Sequence, residues 1–426
     1  MSGTSAAPPP QAMKKTLSTT LLLLLFTLLT ALPLRAGDSV RFYQSGAEKF
    51  AALLDDMQSA RHHIHCEYFI FADDSIGHRM IEVMRQKAAE GVEVRLVIDG
   101  YYDVCRGYHY GKRLDRLRAD GIDIRIYAPY VFPYVHRVLR DHRKIVVIDG
   151  RVGYTGGFNV ADYNIQGKPG VYGGYVDTHV RVEGPAVDGL QRLFAGHFVK
   201  AGGRDFGHGA DYYPHEALTV TDSTSAASGT LTVKEKASTD SLPVITVVER
   251  GRQSWAKKAE MRRAVVRFID RTTDSLHIQS PYLLPTYKIR RALRKAQERG
   301  VKVEVLYSET GDTPLFDAGN VHYSRKLLRR GARVWLYADA FQHSKVLTAD
   351  GERCLVGSAN LDYRAMRWNE EVALVMENQE AVQWLDSAFV VSKGNARPMD
   401  GNYYRNLPFK RRLKGALADI FLSWCL

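Results

Sequence analysis

Residues 142–149 read HRKIVVID and are followed by GGFN at residues 156–159. Residues 343–350 read HSKVLTAD and are followed by GSAN at residues 357–360. Both stretches set a His, a Lys two positions later, an Asp five positions after the Lys, and an Asn ten positions after the Asp. A single match would be weak evidence, because short motifs also arise by chance. Two matches with the same tail indicate one active site that is assembled from two similar halves.

The segments around the two motifs predict a strand, a tight turn and a returning strand. Residues 145–148 and 346–349 are apolar and should be extended, so the His and the Lys of each motif point to one face. Asp149 and Asp350 each precede a Gly, a dipeptide that is typical of hairpin turns. The returning chain should bring the Asn of each motif beside its His and Lys. Each Asp should brace its turn at the far end of the strand rather than touch a substrate.

These residue types suit the cleavage of a phosphodiester in two steps, in which a nucleophile displaces one alcohol and an acceptor then displaces the nucleophile. A neutral imidazole can be the nucleophile, and an imidazolium can protonate the leaving oxygen. Lysines neutralise the phosphoryl oxygens, and asparagine amides donate hydrogen bonds to them. The candidate catalytic residues are therefore His142, Lys144, Asp149, His343, Lys345 and Asp350, with Asn159 and Asn360 as candidate phosphate-binding residues.

The lysine pair provides the positive charge that a metal ion provides in other phosphotransferases. The sequence shows no cluster of metal-ligand type and no Cys-x-x-Cys pair, so we expect neither a metal nor a cofactor. Cys66 and Cys354 lie in apolar, strand-like runs and should be small buried side chains.

Length and charge narrow the class of protein. A chain of 426 residues with 45% hydrophobic and 25% charged residues is long enough for two globular domains. The net charge of +12 favours an anionic partner: a nucleic acid, an acidic membrane surface or a phosphate-containing substrate.

The N-terminus has the pattern of a signal peptide. Lys14 and Lys15 precede an apolar stretch at residues 21–34, and no acidic residue occurs before Asp38. The same pattern also fits an uncleaved N-terminal membrane anchor. In both cases the lysines should stay in the cytoplasm, which places the body of the protein on the extracytoplasmic side of the membrane.

Helix-like and strand-like segments alternate in the same order in both halves, which predicts an α/β fold with a central sheet in each half. Between the halves, the Ser/Thr/Ala-rich composition is typical of a flexible linker. We therefore place the leader at residues 1–37, the first domain at 38–207, the linker at 208–243 and the second domain at 244–426.

The paired motifs resemble those of the phospholipase D superfamily, and the sequence around them looks most like the bacterial cardiolipin synthases. The resemblance covers roughly residues 40–205 and 245–380. Ala365 stands where that family usually has Ser. The segments that carry the resemblance are DHRKIVVIDG at 141–150, GGFN at 156–159, DTHVRVEGPAV at 177–187, SPY at 280–282 and GSANLD at 357–362.

The resemblance implies two similar phospholipase D-like α/β sandwich domains packed around one shared active site. It implies a membrane-associated phosphatidyltransferase that joins two molecules of phosphatidylglycerol, an anionic phospholipid, into cardiolipin and glycerol. It further implies His142 as the nucleophile and His343 as the acid. Asp177 would orient the His of the first half, and Glu371 would orient the His of the second.

Two other functions stay open on the sequence alone. The same site would serve a hydrolytic phospholipase D or an exported nuclease, although nucleases of this superfamily are often dimers with one motif per chain. A domain that only binds anionic lipid is disfavoured, because no His, Lys or Asn of the two motifs is missing.

Three further segments each have two interpretations. Glu67 either lines the site or lies on the surface. The aromatic segment 129–135 either dips into a bilayer or packs between strands. The basic residues 410–414, followed by the more apolar residues 416–426, predict a helix that packs between domains or lies on a membrane.

Overall fold

The computed structural model describes residues 38–101, 110–128, 139–215, 245–251, 255–338 and 340–424. The expected leader, the aromatic segment 129–135 and most of the expected linker lie outside these residues. No helix within the described ranges is long and apolar enough to cross a membrane.

The first half forms a seven-stranded sheet in the order β1-β8-β6-β5-β2-β3-β4. Its strands are β1 (Ser39–Tyr43), β2 (His63–Tyr68), β3 (Glu93–Asp99), β4 (Ile122–Tyr127), β5 (Lys144–Ile148), β6 (Val152–Gly156) and β8 (His179–Glu183), with the short β7 (Tyr175–Val176) outside the sheet. The helices are α1 (Gly46–Gln58), α2 (Ser75–Ala89), α3 (Tyr110–Ala119), α4 (Tyr163–Gln166) and α5 (Ala186–Lys200).

The second half forms an eight-stranded sheet in the order β17-β12-β11-β10-β14-β15-β16-β9. Its strands are β9 (Ile245–Arg250), β10 (Ser275–Gln279), β11 (Lys302–Ser308), β12 (Arg333–Tyr337), β14 (Val346–Ala349), β15 (Arg353–Gly357), β16 (Glu371–Glu377) and β17 (Ala396–Pro398), with the short β13 (Phe341–Gln342) outside it. The helices are α6 (Trp255–Asp270), α7 (Tyr287–Glu298), α8 (Pro314–Leu328), α9 (Tyr363–Arg367), α10 (Gln379–Gly394), α11 (Gly401–Asn406) and α12 (Phe409–Trp424).

The expected internal repeat and α/β class are confirmed. Six strands follow one another in the same spatial order in each half, from β8 to β4 in the first and from β16 to β12 in the second. Helices α3 and α8 end just before Gly121 and Gly331, and both glycines have a positive φ, of 87° and 89°. That backbone conformation favours glycine and ends a helix.

The two sheets share one apolar core. It contains Ile145, Val147, Val180 and Val182 from the first half together with Val346, Val356, Val372 and Leu374 from the second. Because β5 and β14 carry the motifs, this shared core holds both motifs close to the boundary between the halves. Cys66 and Cys354 are buried free thiols, as expected.

The beginning of the expected linker, residues 208–215, packs against the first half. The ring of Tyr212 stacks on His63 at 5.0 Å, and its hydroxyl donates to Glu93 at 3.0 Å. His215 lies 2.9 Å from Asp188. Aromatic and polar contacts therefore hold residues 208–215 against the first half, while the Ser/Thr/Ala-rich part of the expected linker lies outside the described residues.

Candidate active site

Backbone contacts between the halves bring the two motifs together. Short strand β13 pairs in parallel with β7, with Gln342 opposite Val176, and Asp141 forms the corresponding bridge with Glu370. The next residue in each case is a motif histidine. His343 N donates to Val176 O at 2.7 Å, and His142 N donates to Glu370 O at 2.9 Å. Each histidine is therefore held by backbone of the opposite half.

The same arrangement places each histidine against a carboxylate of the opposite half. His142 Nδ1 lies 3.1 Å from Glu371 Oε2, and His343 Nδ1 lies 2.6 Å from Asp177 Oδ2. We expected Asp177 to serve the histidine of its own half, and Glu371 likewise. This part of the prediction is wrong. Because β7 pairs with β13 and Glu370 bridges Asp141, the residues that follow, Asp177 and Glu371, face the histidines of the opposite half.

Glu371 is buried among hydrogen-bond donors. Ser358 Oγ donates to Glu371 Oε2 at 2.5 Å, and Asn369 Nδ2 donates to Oε1 at 3.2 Å. Burial opposes ionisation of this carboxyl, but His142, Lys144 and Ser358 outweigh it and hold the pKa of Glu371 below its usual range. Glu371 is therefore an anion that can hold a proton on the facing ring nitrogen of His142.

Asp177 is buried with fewer donors. The backbone N–H of Thr178 donates to it at 2.7 Å. Burial raises the pKa of Asp177 to about 7, against the opposing effect of Lys345. Gly157 occupies the position that Ser358 occupies in the second half, and a Cβ there would lie 2.0 Å from Asp177 Oδ1. Glycine is required at this position because the carboxylate fills the space of a side chain.

The two motif lysines are buried beside the backbone of their own histidines. Lys144 Nζ donates to His142 O at 2.6 Å, and Lys345 Nζ donates to His343 O. Lys345 Nζ also lies 2.8 Å from His343 Nδ1. Burial lowers the pKa of Lys144 to about 7 and that of Lys345 to about 8. An anion bound between them would favour the charged form of both lysines.

The two histidines share one electrostatic environment. Burial lowers the pKa of His142, with repulsion from Lys144 and Lys345 added to it, while Glu371 opposes the shift. Burial and Lys345 lower the pKa of His343. Both imidazoles are therefore neutral near pH 7 without an anionic ligand, the state that a nucleophilic imidazole requires.

The two motif asparagines are almost completely buried. Asn159 Oδ1 accepts from the backbone N–H of Ile70 at 3.3 Å, which leaves its amide NH₂ as a donor. Asn360 Oδ1 has no hydrogen-bond partner among the described residues. Both amides lie at the start of the loops after β6 and β15, next to the motif strands.

The two motif aspartates lie at the far ends of their strands, in the turns. Asp149 has φ of 53° and accepts from the backbone N–H groups of Arg61, His62 and His63 at 2.8–2.9 Å. Asp350 has φ of 58° and accepts from the backbone N–H groups of Thr273, Asp274 and Ser275. Each carboxylate therefore ties a hairpin turn to the start of the neighbouring strand, β2 or β10.

A buried ionic cluster behind His142 went unrecognised in the sequence. Arg143 Nε lies 2.8 Å from Glu67 and 3.0 Å from Asp141, and its Nη2 donates to Glu370 of the other half at 2.9 Å. His197 Nε2 lies 3.3 Å from Glu370. Glu67 is fully buried, so its interpretation as a surface residue is wrong.

Three members of the cluster, Glu67, Asp141 and His197, have ligand atoms close enough together to hold a metal ion. This group could not be recognised in the sequence, because its members are far apart in the chain. The guanidinium of Arg143 already lies against both carboxylates and supplies the positive charge that a cation would bring. The signal in the sequence was Arg143 itself, which stands between His142 and Lys144 just before β5 and so should point to the face opposite to theirs.

Comparison with known families matches both halves. The family described as cardiolipin synthase, PLD-like domain, matches residues 53–168 and 265–391. The cardiolipin synthase of Listeria monocytogenes is 31% identical over 362 residues, which cover 84% of this chain and 69% of that protein. The cardiolipin synthase of Geobacillus thermodenitrificans is 30% identical over 385 residues, which cover 89% and 71%.

A solved structure shares the fold. The phosphatidylserine synthase of Haemophilus influenzae superimposes with a TM-score of 0.69 at 14% identity, over 90% of this chain and 94% of that one. At this identity the likeness concerns the architecture of two similar halves alone. The family match covers both motif-bearing halves, and the relatives align over most of the chain. The chain therefore belongs to the phospholipase D-like cardiolipin synthase family.

Proposed function

We propose that the protein is a phosphatidyltransferase of the cardiolipin synthase type, which joins two phosphatidylglycerol molecules into cardiolipin and releases glycerol. The observation that carries the proposal is the pair of histidines, each fixed by a carboxylate of the opposite half and each accompanied by a buried lysine. This arrangement suits a double displacement at phosphorus. The similarity to cardiolipin synthases selects the lipid substrate.

In the first step, His142 Nε2 attacks the phosphorus of phosphatidylglycerol. A phosphorus–nitrogen bond forms, and the bond from phosphorus to the glycerol headgroup oxygen breaks. Glu371 supports His142 in this role, because an ionised carboxylate at Nδ1 keeps the proton there and leaves the Nε2 lone pair available. His343 gives its proton to the departing glycerol oxygen.

In the second step, His343 takes the proton from the headgroup hydroxyl of a second phosphatidylglycerol. That oxygen attacks phosphorus, the bond to His142 breaks, and cardiolipin leaves. The proton that His343 gave away is thereby recovered, so one cycle leaves both histidines unchanged. Binding of the anionic phosphodiester favours the charged form of His343 that the first step needs.

The remaining motif residues bind the phosphate. Lys144 and Lys345 neutralise the two non-bridging oxygens, and the side-chain amides of Asn159 and Asn360 donate hydrogen bonds to them. Preorganised donors in a buried site stabilise charge more strongly than water does. Asp149 and Asp350 act on this site only through the turns that they brace.

The protein should work at a membrane surface, because its substrate resides in a bilayer. The expected leader would place the body on the extracytoplasmic side, and it lies outside the described residues. The net charge of +12 attracts the protein to anionic lipid.

The proposal is tested by incubating the purified protein with phosphatidylglycerol vesicles and resolving the lipid products. Wild type should yield cardiolipin and glycerol, and both His142→Ala and His343→Ala should abolish turnover. His78→Ala is the matched control, because His78 is largely exposed and pairs with Asp73 on the surface, so it should retain activity.

Other products would overturn the proposal. Phosphatidic acid in place of cardiolipin would assign a hydrolytic phospholipase D, since water would then be the acceptor. Cleavage of DNA without lipid turnover would assign a nuclease. Near-wild-type turnover in either histidine variant would refute the site built from two halves.

A further inference from the structure

The C-terminal helix α12 exposes an apolar stripe to solvent. Phe409, Leu413 and Leu417 are 68%, 45% and 56% exposed, and they are spaced four residues apart. Side chains at this spacing lie on one face of a helix. Lys410 and Lys414, also exposed, follow the stripe along one side.

The opposite face of α12 anchors the helix to the second half. A Cβ at Gly415 would lie 2.4 Å from the carbonyl oxygen of Ala318 in α8, so the two helices approach closely. Asp419 is buried and accepts from Arg290 of α7 and from Lys326 of α8, the latter at 2.6 Å. One face of this helix therefore packs within the second half rather than between domains, and the apolar stripe is a different face.

Helix α7, which Arg290 joins to Asp419 of α12, also exposes apolar and basic side chains at its start. Tyr287 is 71% exposed and lies one turn before Arg290, whose guanidinium binds Asp419 of α12. Lys288 and Arg291 are exposed beside it. The two contacting helices thus expose, between them, three apolar side chains, one tyrosine and four cations. We call these eight residues the basic-apolar face; they are Tyr287, Lys288, Arg291, Phe409, Lys410, Leu413, Lys414 and Leu417.

Contacts lead from this face to the active site. Ala418 of α12 packs in one small cluster with Leu284, Tyr363, Leu315 and Phe316. The ring of Phe316 lies 4.7 Å from that of Tyr282, whose hydroxyl binds Asp312.

Two observations place the far end of these contacts beside the catalytic groups. Asp312 favours the protonated form of His343 and so opposes the lowering of its pKa. Tyr363 begins α9, three residues after Asn360. Side-chain contacts therefore run from the inner face of α12 to Asp312, whose charge acts on His343.

We propose that the basic-apolar face docks on the surface of an anionic lipid bilayer and brings the His343 side of the active site to the lipid. Helices that lie in the plane of a membrane surface have this composition, with apolar residues that enter the acyl boundary and lysines that meet the anionic headgroups. The proposal rests on the proposed function, since a bilayer lipid as substrate gives the surface its occupant.

The direct test places an environment-sensitive fluorophore on the full-length protein. Leu413→Cys, in a background of Cys105→Ser and Cys425→Ser, is labelled and mixed with phosphatidylglycerol/phosphatidylethanolamine vesicles; Cys66 and Cys354 are buried. We expect a blue shift and quenching by lipids that carry a quencher in the acyl chain. Vesicles of phosphatidylcholine alone should give a weaker response, and so should high salt. Val390→Cys, at an exposed apolar site on α10, is the matched control and should not respond.

Two outcomes overturn the docking proposal. If the protein sediments with the vesicles while the label at position 413 stays unchanged, another part of the chain holds the membrane. If the label responds to protein concentration without vesicles, the face joins two copies of the chain instead.

A second measurement separates docking from chemistry. The triple variant Phe409→Ser, Leu413→Ser, Leu417→Ser should lose at least about tenfold in turnover of long-chain phosphatidylglycerol in vesicles, since each side chain loses its burial in lipid. The variant should keep turnover of short-chain phosphatidylglycerol dissolved as monomers. Val390→Ser with Val391→Ser is the control for lost surface hydrophobicity.

Equal losses on both substrates would refute docking, because the defect would then lie in the site or the fold. A wild-type protein that makes no product from either substrate would refute the proposed function. The fluorophore would still decide the docking.

Discussion

At the scale of single residues, the two site carboxylates differ in the donors that surround them. Glu371 accepts from the hydroxyl of Ser358 and the amide of Asn369. Asp177, which lies against Gly157, accepts from the backbone N–H of Thr178. Burial raises the pKa of Asp177 to about 7, whereas His142, Lys144 and Ser358 outweigh burial at Glu371 and lower its pKa. Two motifs of the same spacing thus hold their two histidines against unlike carboxylates, which suits the proposed roles of nucleophile and acid.

The pairing of each carboxylate with the histidine of the opposite half predicts which imidazole each carboxylate orients. Glu371→Gln and Asp177→Asn should each lower turnover by roughly 10²- to 10⁴-fold, because an amide no longer fixes the ring proton of its partner. In ¹⁵N spectra of histidine-labelled protein, Glu371→Gln should change the tautomer signals of His142 and spare those of His343. Asp177→Asn should do the opposite. Spectra in which each variant affects the histidine of its own half would contradict the crossed pairing.

At the scale of elements, each motif hairpin depends on a turn with two residues of positive φ. Asp149 and Gly150 have φ of 53° and 64°, and Arg151 N donates to Ile148 O at 3.0 Å to close the turn. This geometry fits the twist of the flanking strands and favours an Asp-Gly pair. The carboxylate also accepts hydrogen bonds from backbone at the start of the neighbouring strand in the sheet, β2 or β10. One side chain therefore fixes both the turn and that strand.

Asp149→Asn and Asp350→Asn should therefore lower the free energy of unfolding by about 1–3 kcal/mol and leave turnover of the folded enzyme near wild type. The backbone N–H groups outweigh burial and hold the pKa of both carboxyls below the ordinary value of 3.8. Their stabilisation is complete above pH 3.8 and is lost as the pH falls through the folded-state pKa. Denaturant titrations should thus show wild type and variants converging in strongly acidic solution. A loss of turnover without a loss of stability would assign these carboxylates to the chemistry instead.

At the scale of the whole molecule, the two halves are joined unequally on the two sides of the site. Behind His142, Arg143 joins Glu67 and Asp141 of its own half to Glu370 of the other. At the equivalent position behind His343, Ser344 Oγ accepts from Thr178 Oγ1 at 3.0 Å. One side is held by buried charges and the other by a pair of hydroxyls.

Arg143→Met should therefore cost about 3–5 kcal/mol of unfolding free energy, because it removes the guanidinium shared by three buried carboxylates, of which, among the described residues, only Glu370 keeps another cation, Lys200. Ser344→Ala, the matched change in the second half, should cost only about 1 kcal/mol. Denaturant unfolding measures both. A cost for Arg143→Met no larger than that for Ser344→Ala would show that the ionic cluster does not stabilise the association of the halves.

The sequence was sufficient for the repeat, the fold class and the motif residues, since these depend on local spacing and alternation. The strand at 346–349, the helix stops at Gly121 and Gly331 and the buried Cys66 follow from such local rules. Local spacing could not predict that each carboxylate faces the histidine of the opposite half, because this depends on the pairing of β7 with β13 in the assembled molecule. The cluster around Arg143 joins residues from 67 to 370 for the same reason.

The exchange of carboxylates means that neither half is self-sufficient. A half that lost its partner would keep its histidine and lysine but would lose the group that orients the ring. The orientation of His142 therefore depends on Glu371, more than 200 residues later in the chain, and that of His343 depends on Asp177. Both histidines are oriented only while these four residues are retained together.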